Sequence, residues 1–365
     1  MNLLIEAIFF KFEFVTGIER HFSLQLEIFN HSNMFEQIYV VVKNLPPAHF
    51  LNINAKYKII LIQENTEKEW ENIYKSYKFD LLYSTFEPPA SLPPVNIPVL
   101  HVLHDPGRYL YPEHMEKGVL NVHMENFKKY IARKNFYIVT VSNTSKKDIL
   151  KFFPTIGNKI FVIYNFISEH FVNTSKIENI QVENLEKDKF FLTVGIYMPT
   201  KNTLSIVKAF ENRNKKFKDY FLVILGRQGW YKDFNYYLQQ HTLKNILNLQ
   251  YVEDNVVHWL YKNCYGLINA SIYEGFGLPL IESAYLGCKR IFCSDIEVFK
   301  EIFPWATYFF NPFDINAIRD SIFNHKYGKQ DFRSIVEQKF NSTAALKQFL
   351  SVIKVITKNE KTTQS

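Results

Sequence analysis

Glu274 and Glu282 stand eight residues apart in Ser271-Ile-Tyr-Glu-Gly-Phe-Gly-Leu-Pro-Leu-Ile-Glu282, with two glycines and a proline between them. Mostly apolar Tyr265 to Ala270 leads in and reads as a buried strand. Gly275 and Gly277 permit a turn and close approaches that a Cβ would block. Pro279 suits the start of a helix, Leu280, Ile281, Ala284 and Tyr285 carry its apolar face, and Gly287 ends it. Such a turn points the bare N–H groups around Gly275, Phe276, Gly277 and Leu278 at whatever lies beyond the strand, a ready site for a phosphate. Two carboxylates beside a phosphate cradle suit sugar hydroxyls. A plain helix start, with Glu282 only satisfying first-turn amides, is the alternative.

Positioning such a turn takes a parallel α/β sheet, and the chain carries the pattern of two. Strand-like runs at Leu3–Phe10, Gln37–Val42, Tyr57–Ile62, Phe79–Ser84, Val99–His104, Phe136–Ser142 and Lys159–Tyr164 alternate with helical stretches. A second alternation begins at Phe190–Gly195. It continues through Phe221–Gly226, a strand ending at Leu249–Val252, then Arg290–Ser294 and Thr307–Phe310. The expected division is a first domain over 1–172, a polar linker over 173–189 and a second domain over 190–340. An amphipathic helix at 341–356 follows, then a disordered tail at 357–365.

With 365 residues and 47% apolar content, the chain can bury two ordinary cores. Cys264, Cys288 and Cys293 lack metal-ligand spacing and read as reduced core residues of a cytosolic protein. The N-terminus has no basic leader and reads as a first strand, and no apolar run reaches the roughly 18 residues of a membrane span. A net charge of +7 favours anionic partners, and no nucleic-acid-binding signature accompanies it. Asn126–Phe136 interleaves aromatics with Lys128, Lys129, Arg133 and Lys134. That pattern is either a solvated helix face or a peripheral docking surface for an anionic membrane.

Other loops carry further candidates. Gly17 lies where a doubly wound fold places its first ligand loop, although local evidence by itself favours a plain turn. His101 sits inside an apolar strand and reads as a core histidine, whereas His104 ends that strand ahead of Asp105-Pro106. In Gly195-Ile-Tyr-Met-Pro-Thr-Lys-Asn202, Lys201 precedes a helix, where a point charge and free amides together suit phosphate. Arg227 follows the strand Phe221–Leu225, and Val252 ends a further strand.

EGFGLPLIE resembles the E-x(7)-E motif of the retaining glycosyltransferase family 4 enzymes, which have the two-domain GT-B fold. TGIER at residues 16–20 is similar to that family's TGIGR, His104-Asp105 to its H-D pair, and Pro199-Thr-Lys-Asn202 to its P-R-K-N. Gly226-Arg-Gln-Gly-Trp230 is similar to the G-x-x-G-W of one branch, which includes mannosyl- and rhamnosyltransferases of bacterial surface polysaccharides. The resemblance implies two Rossmann-like domains facing each other across a cleft, with the C-terminal helix crossing back to the first. It implies a nucleotide-diphosphate sugar as donor and a glycan or lipid-linked glycan as acceptor. Glu274 and His104 would place the donor sugar, Lys201 and the amides around Phe276 would hold the diphosphate, and Glu282 would hold the ribose. The family's arginine in the first phosphate loop is absent, with Ile196 and Thr200 in its place, and Arg227 is a candidate substitute. No D-x-D motif is present, so no metal or other cofactor is expected. A degenerate GT-B subunit that binds without catalysing, and a GT-B sugar-nucleotide epimerase, remain open alternatives.

Overall fold

A computed structural model describes all residues except 9, 11–16, 46–55, 86–92, 95, 115–123, 125–126, 175–181, 183–184, 228, 230–231, 242, 251, 325 and 365. The segment leading to Gly17, most of the proline-rich loop and Trp230 therefore lie outside the described residues. The chain divides into two compact units, Met1–Phe166 with Ser342–Ser365, and Ile167–Asn341. The division falls ahead of the expected linker at 173–189 because Ile167 N–H donates to Phe340 O at 3.1 Å. Phe171 likewise packs on His258 and Tyr285 of the second unit.

In the first unit, β1 (Asn2–Glu6), β2 (Gln37–Val42), β3 (Tyr57–Leu61), β4 (Leu81–Ser84), β5 (Val99–Val102), β6 (Phe136–Thr140) and β7 (Ile160–Val162) form one parallel sheet. Its order is β3-β2-β1-β4-β5-β6-β7. Strands such as Phe136-Tyr-Ile-Val-Thr140 are buried along their whole length, which is why they read as continuous apolar runs. Trp70, Tyr109, Phe127, Phe136 and Phe153 fill the core on one face. The helix Ser342–Gln364 packs on this unit, with the Phe349 ring 5.2 Å from Phe29 and Gln348 Oε1 accepting from Tyr164 N–H. The sequence reading ends this helix at 356 and leaves 357–365 disordered. The helix instead runs to Gln364, and Thr357 Oγ1 donates back to Ile353 O at 3.0 Å.

In the second unit, β8 (Phe190–Val194), β9 (Phe221–Leu225), β10 (Ile246–Leu249), β11 (Gly266–Asn269), β12 (Ile291–Ser294) and β13 (Tyr308–Phe310) pair in parallel in the order β10-β9-β8-β11-β12-β13. In both sheets the order reverses beside the first strand, between β1 and β4 and between β8 and β11. Such a reversal opens a crevice at the carboxyl ends of the strands, where open α/β sheets take ligands. The three cysteines are free and buried, as expected, with the Cys264 and Cys288 sulfurs 3.4 Å apart. Among the described residues, no helix is long and apolar enough to cross a membrane.

The basic segment contains one structural arginine among exposed lysines. Phe127 is buried in the core, while Lys128, Lys129 and Lys134 are exposed. Arg133 donates to Pro93 O at 3.0 Å and Pro94 O at 3.3 Å, so its charge is engaged within the unit.

Candidate functional site

At the reversal in the second sheet, two loops leave adjacent strands and meet. The loop after β8 begins at Gly195 (φ +156°) and ends in a single 3-10 turn, Pro199–Lys201. Asn202 then turns left-handed (φ 54°) to start the helix Thr203–Glu211, and its amide donates to Pro312 O at 2.7 Å. The loop after β11 is tied to it by Ile272 N–H donating to Thr200 O at 2.9 Å. The Lys201 side chain lies over Gly195, where an added Cβ would stand 3.5 Å from its Cδ.

These contacts bring Lys201 and Glu274 together. Lys201 Nζ donates to Glu274 Oε1 at 2.5 Å, and Ser271 Oγ donates to the same oxygen at 2.8 Å. The Glu274 side chain is only 11% exposed and that of Lys201 26%. Glu274 Oε2 has no hydrogen-bond partner among the described residues, nor do the remaining ammonium protons of Lys201. An ammonium carries three donors and a carboxylate has several acceptor positions, so the pair keeps capacity on both sides for a ligand. Beyond Glu274, Gly277 (φ +100°) begins the helix Leu278–Tyr285, and the N–H groups of Gly277 and Leu278 donate to nothing among the described residues. Gly287 ends that helix left-handed, with Gly287 N–H on Ala284 O and Cys288 N–H on Ser283 O.

The N-cap of this helix is Gly277, and Glu282 lies in its second turn. It is 5% exposed and accepts from Tyr261 Oη at 3.0 Å. Tyr261 is fully buried on the helix Asp254–Asn263, so sequence reasoning, which passed over it, missed what holds Glu282. Arg227 lies on the neighbouring loop, exposed, and its guanidinium has no partner among the described residues. Its backbone O accepts from Tyr197 N–H at 3.2 Å. Val252 is half-buried three residues beyond β10.

Gly17 and His104 belong to the first unit, at the carboxyl end of its sheet. Gly17 starts the helix Gly17–His31 and is exposed, and a Cβ there would meet nothing within 4 Å. Packing against the described residues therefore does not require glycine at this position. His104 follows β5, and its backbone O accepts from Thr140 Oγ1 at 2.9 Å. Burial, with smaller contributions from His21, His101 and Arg108, holds its imidazole well below the usual histidine range, so it is neutral. His101 is a core histidine as read, 1% exposed with Nδ1 3.1 Å from Ser84 Oγ. The residue missed at this edge is Glu6, fully buried at the end of β1. It accepts from Ile8 N–H at 3.0 Å and Thr85 N–H at 3.3 Å across the reversal. A lone glutamate closing an apolar strand was the available signal.

Comparison with known proteins agrees with this arrangement. Residues 175–323 match the family described as Glycosyl transferases group 1. The chain is 31% identical over 224 residues to the O-antigen chain mannosyltransferase RfbU of Salmonella typhimurium, covering 61% of this chain and 59% of that protein. It is 25% identical over 242 residues to the O-antigen chain mannosyltransferase B of Escherichia coli, covering 60% and 63%. The alignments thus span less than two thirds of either relative. Among solved structures, the sucrose-phosphate synthase of Thermosynechococcus elongatus superposes with a TM-score of 0.73 at 14% identity, over 97% of this chain and 98% of that one. At that identity the likeness concerns the fold alone. Two parallel-sheet units of the GT-B type are thus joined by a match to the group 1 glycosyltransferase model in the second unit and by sequence similarity to O-antigen mannosyltransferases.

Proposed function

We propose that the chain is a retaining, metal-independent glycosyltransferase acting in bacterial surface polysaccharide synthesis. It moves a hexose, mannose by analogy with the relatives, from a nucleotide-diphosphate sugar to a glycan or lipid-linked glycan. The observation that carries this reading is the Lys201–Glu274 pair, with free donors on one side, a free carboxylate oxygen on the other and open amides of Gly277 and Leu278 beside it. Lys201 and those amides meet the charge that grows on the leaving diphosphate, while Glu274 Oε2 accepts from a sugar hydroxyl. In the transfer, the bond between the sugar C1 and the phosphate oxygen breaks. The acceptor oxygen bonds C1 on the same face and its proton passes to the departing phosphate. The site is cytoplasmic on this reading, and the exposed Lys129 and Lys134 would face an anionic membrane surface.

The test is transfer from a panel of GDP-mannose, UDP-hexoses and dTDP-rhamnose to a polyprenyl-linked glycan in the presence of EDTA. Release of nucleoside diphosphate with a new glycoside of unchanged anomeric configuration is expected. Complete loss in EDTA, restored by Mg²⁺ or Mn²⁺, would remove the metal-free diphosphate site. Binding of a donor with no transfer to any acceptor would leave a sugar-nucleotide-binding subunit.

Two variants probe the reading further. Gly17→Ala fills open space and improves helix propensity, so the melting temperature should hold or rise. If substrate approaches the backbone there, turnover should nevertheless fall by about tenfold or more. Equal turnover at equal stability would leave Gly17 as a plain turn residue. Glu282→Ala should weaken nucleoside diphosphate binding by about 1.5–3 kcal/mol, the value of a hydrogen bond to a charged acceptor, in calorimetry. Tyr261→Phe removes one internal hydrogen bond to Glu282 and keeps the carboxylate. If both variants lose stability and neither loses nucleotide affinity, Glu282 serves packing rather than the ribose.

A further inference from the structure

One helical turn beyond Gly17, His21 is 3% exposed, and its Nδ1 lies 2.7 Å from Asn165 Oδ1. With that amide oxygen accepting, Nδ1 carries the ring proton and Nε2 is a bare lone pair. Nε2 is buried and has no partner among the described residues. His104 repeats the pattern, with Nε2 buried and unpartnered and its ring edge-on to His21 at 4.4 Å. One turn further along the same face of the helix, Gln25 is 1% exposed with both amide atoms unpartnered among the described residues. Buried polar atoms are satisfied almost everywhere in folded proteins, so three neighbouring exceptions call for a missing partner.

The chemistry of that partner follows from charge. Burial lowers the His21 pKa to about 4, the Asn165 contact opposing it only in part, and His104 is held low as well. Neutral imidazoles presenting lone pairs repel a phosphate and accept from a hydroxyl. An amide with both atoms free can donate to and accept from the same kind of group. A polyhydroxylated ring fits this set, and an anion does not.

We propose that His21 is a sugar-binding residue of the first unit, accepting a hydrogen bond at Nε2 from a hexose hydroxyl beside His104, with Asn165 holding the tautomer. The proposal rests on the glycosyltransferase reading, and the hydroxyl belongs either to the donor hexose or to the sugar acceptor. Histidine ¹⁵N spectra of the wild type, titrated with GDP, GDP-mannose and methyl α-mannoside, test it without relying on a variant. The His21 Nε2 resonance should report an unprotonated, unbonded nitrogen in the free protein. A shift with GDP-mannose but not GDP assigns the donor hexose, and a shift with methyl mannoside alone assigns the acceptor. In calorimetry, His21→Ala should raise the Kd of the responding sugar ligand roughly threefold to tenfold and leave that of GDP unchanged. Binding of GDP-mannose with an unmoved His21 resonance would overturn the proposal while the glycosyltransferase reading stood. Failure of the wild type to bind any of these ligands, or the UDP- and dTDP-sugars, would overturn both.

Discussion

Lys201→Ala should lower kcat by roughly a hundredfold or more, the scale of losing one fixed donor aimed at developing charge. Lys201 is the cation that the structure places against the candidate sugar-contacting carboxylate, 2.5 Å from Glu274. That pairing holds the ammonium in place, so little reorganisation is required as charge builds on the leaving diphosphate. Substrate binding should suffer less than turnover, because the leaving oxygens carry less charge in the ground state than in the transition state. Truncation also strands Glu274, which is mostly buried and keeps only Ser271 as a partner among the described residues. Lys201→Met, which preserves the packing of the stem over Gly195, separates lost charge from lost packing. Steady-state kinetics on both variants, with the melting temperature as control, decide the matter. A fall shared by Ala and Met at unchanged stability assigns the charge, whereas full kcat in either would displace the diphosphate from this loop. Arg227→Ala is the companion measurement. Arg227 is exposed and has no partner among the described residues, so a comparable loss would identify it as the substitute for the missing arginine.

Much of this arrangement is legible in the chain because parallel strands are buried on both faces. Phe221-Leu-Val-Ile-Leu225 and Phe136-Tyr-Ile-Val-Thr140 carry no alternation to misread, and the glycines at 195, 277 and 287 mark where chain direction changes. What stays hidden depends on partners distant in sequence. Arg133 looks like a free cation beside Lys134 until the carbonyls it holds, forty residues earlier, are seen. Glu282 gives no sign in the sequence of the Tyr261 hydroxyl that donates to it. His21 carries no signal beyond its place one turn after Gly17, because only the fold brings Asn165, 144 residues later, to its ring. The order of the strands is hidden for the same reason, since pairing β1 with β4 across the reversal is a property of the sheet and not of either strand.

Gly226→Ala should be the most disruptive single methyl in the second unit. A Cβ at Gly226 would lie 1.8 Å from the carbonyl oxygen of Gly195 and 2.6 Å from its carbonyl carbon, both backbone atoms. A comfortable carbon–oxygen approach is about 3.3 Å, so one loop must move by more than an ångström. Neither is loose, because Gly195 N–H bonds Leu225 O and Gly226 N–H bonds Leu249 O, each at 2.9 Å. Overpacking of this kind costs about 3 kcal/mol, equivalent to a fall of roughly 6–12 °C in the melting temperature of a unit this size. The loop that yields is the one carrying Lys201, and a displacement of about an ångström at a reacting centre costs on the order of a hundredfold in rate. Gly287→Ala supplies the contrast. Its φ of +91° makes alanine strained, but a Cβ there meets nothing within 4 Å, so it should cost only about 1–2 kcal/mol and leave kcat intact. Thermal unfolding and kinetics on the two variants separate a strained helix end from a loop that must fit under its neighbour. If Gly226→Ala melts and turns over like the wild type, the loops after β8 and β9 do not stack in solution, and the placement of Lys201 loses its physical support.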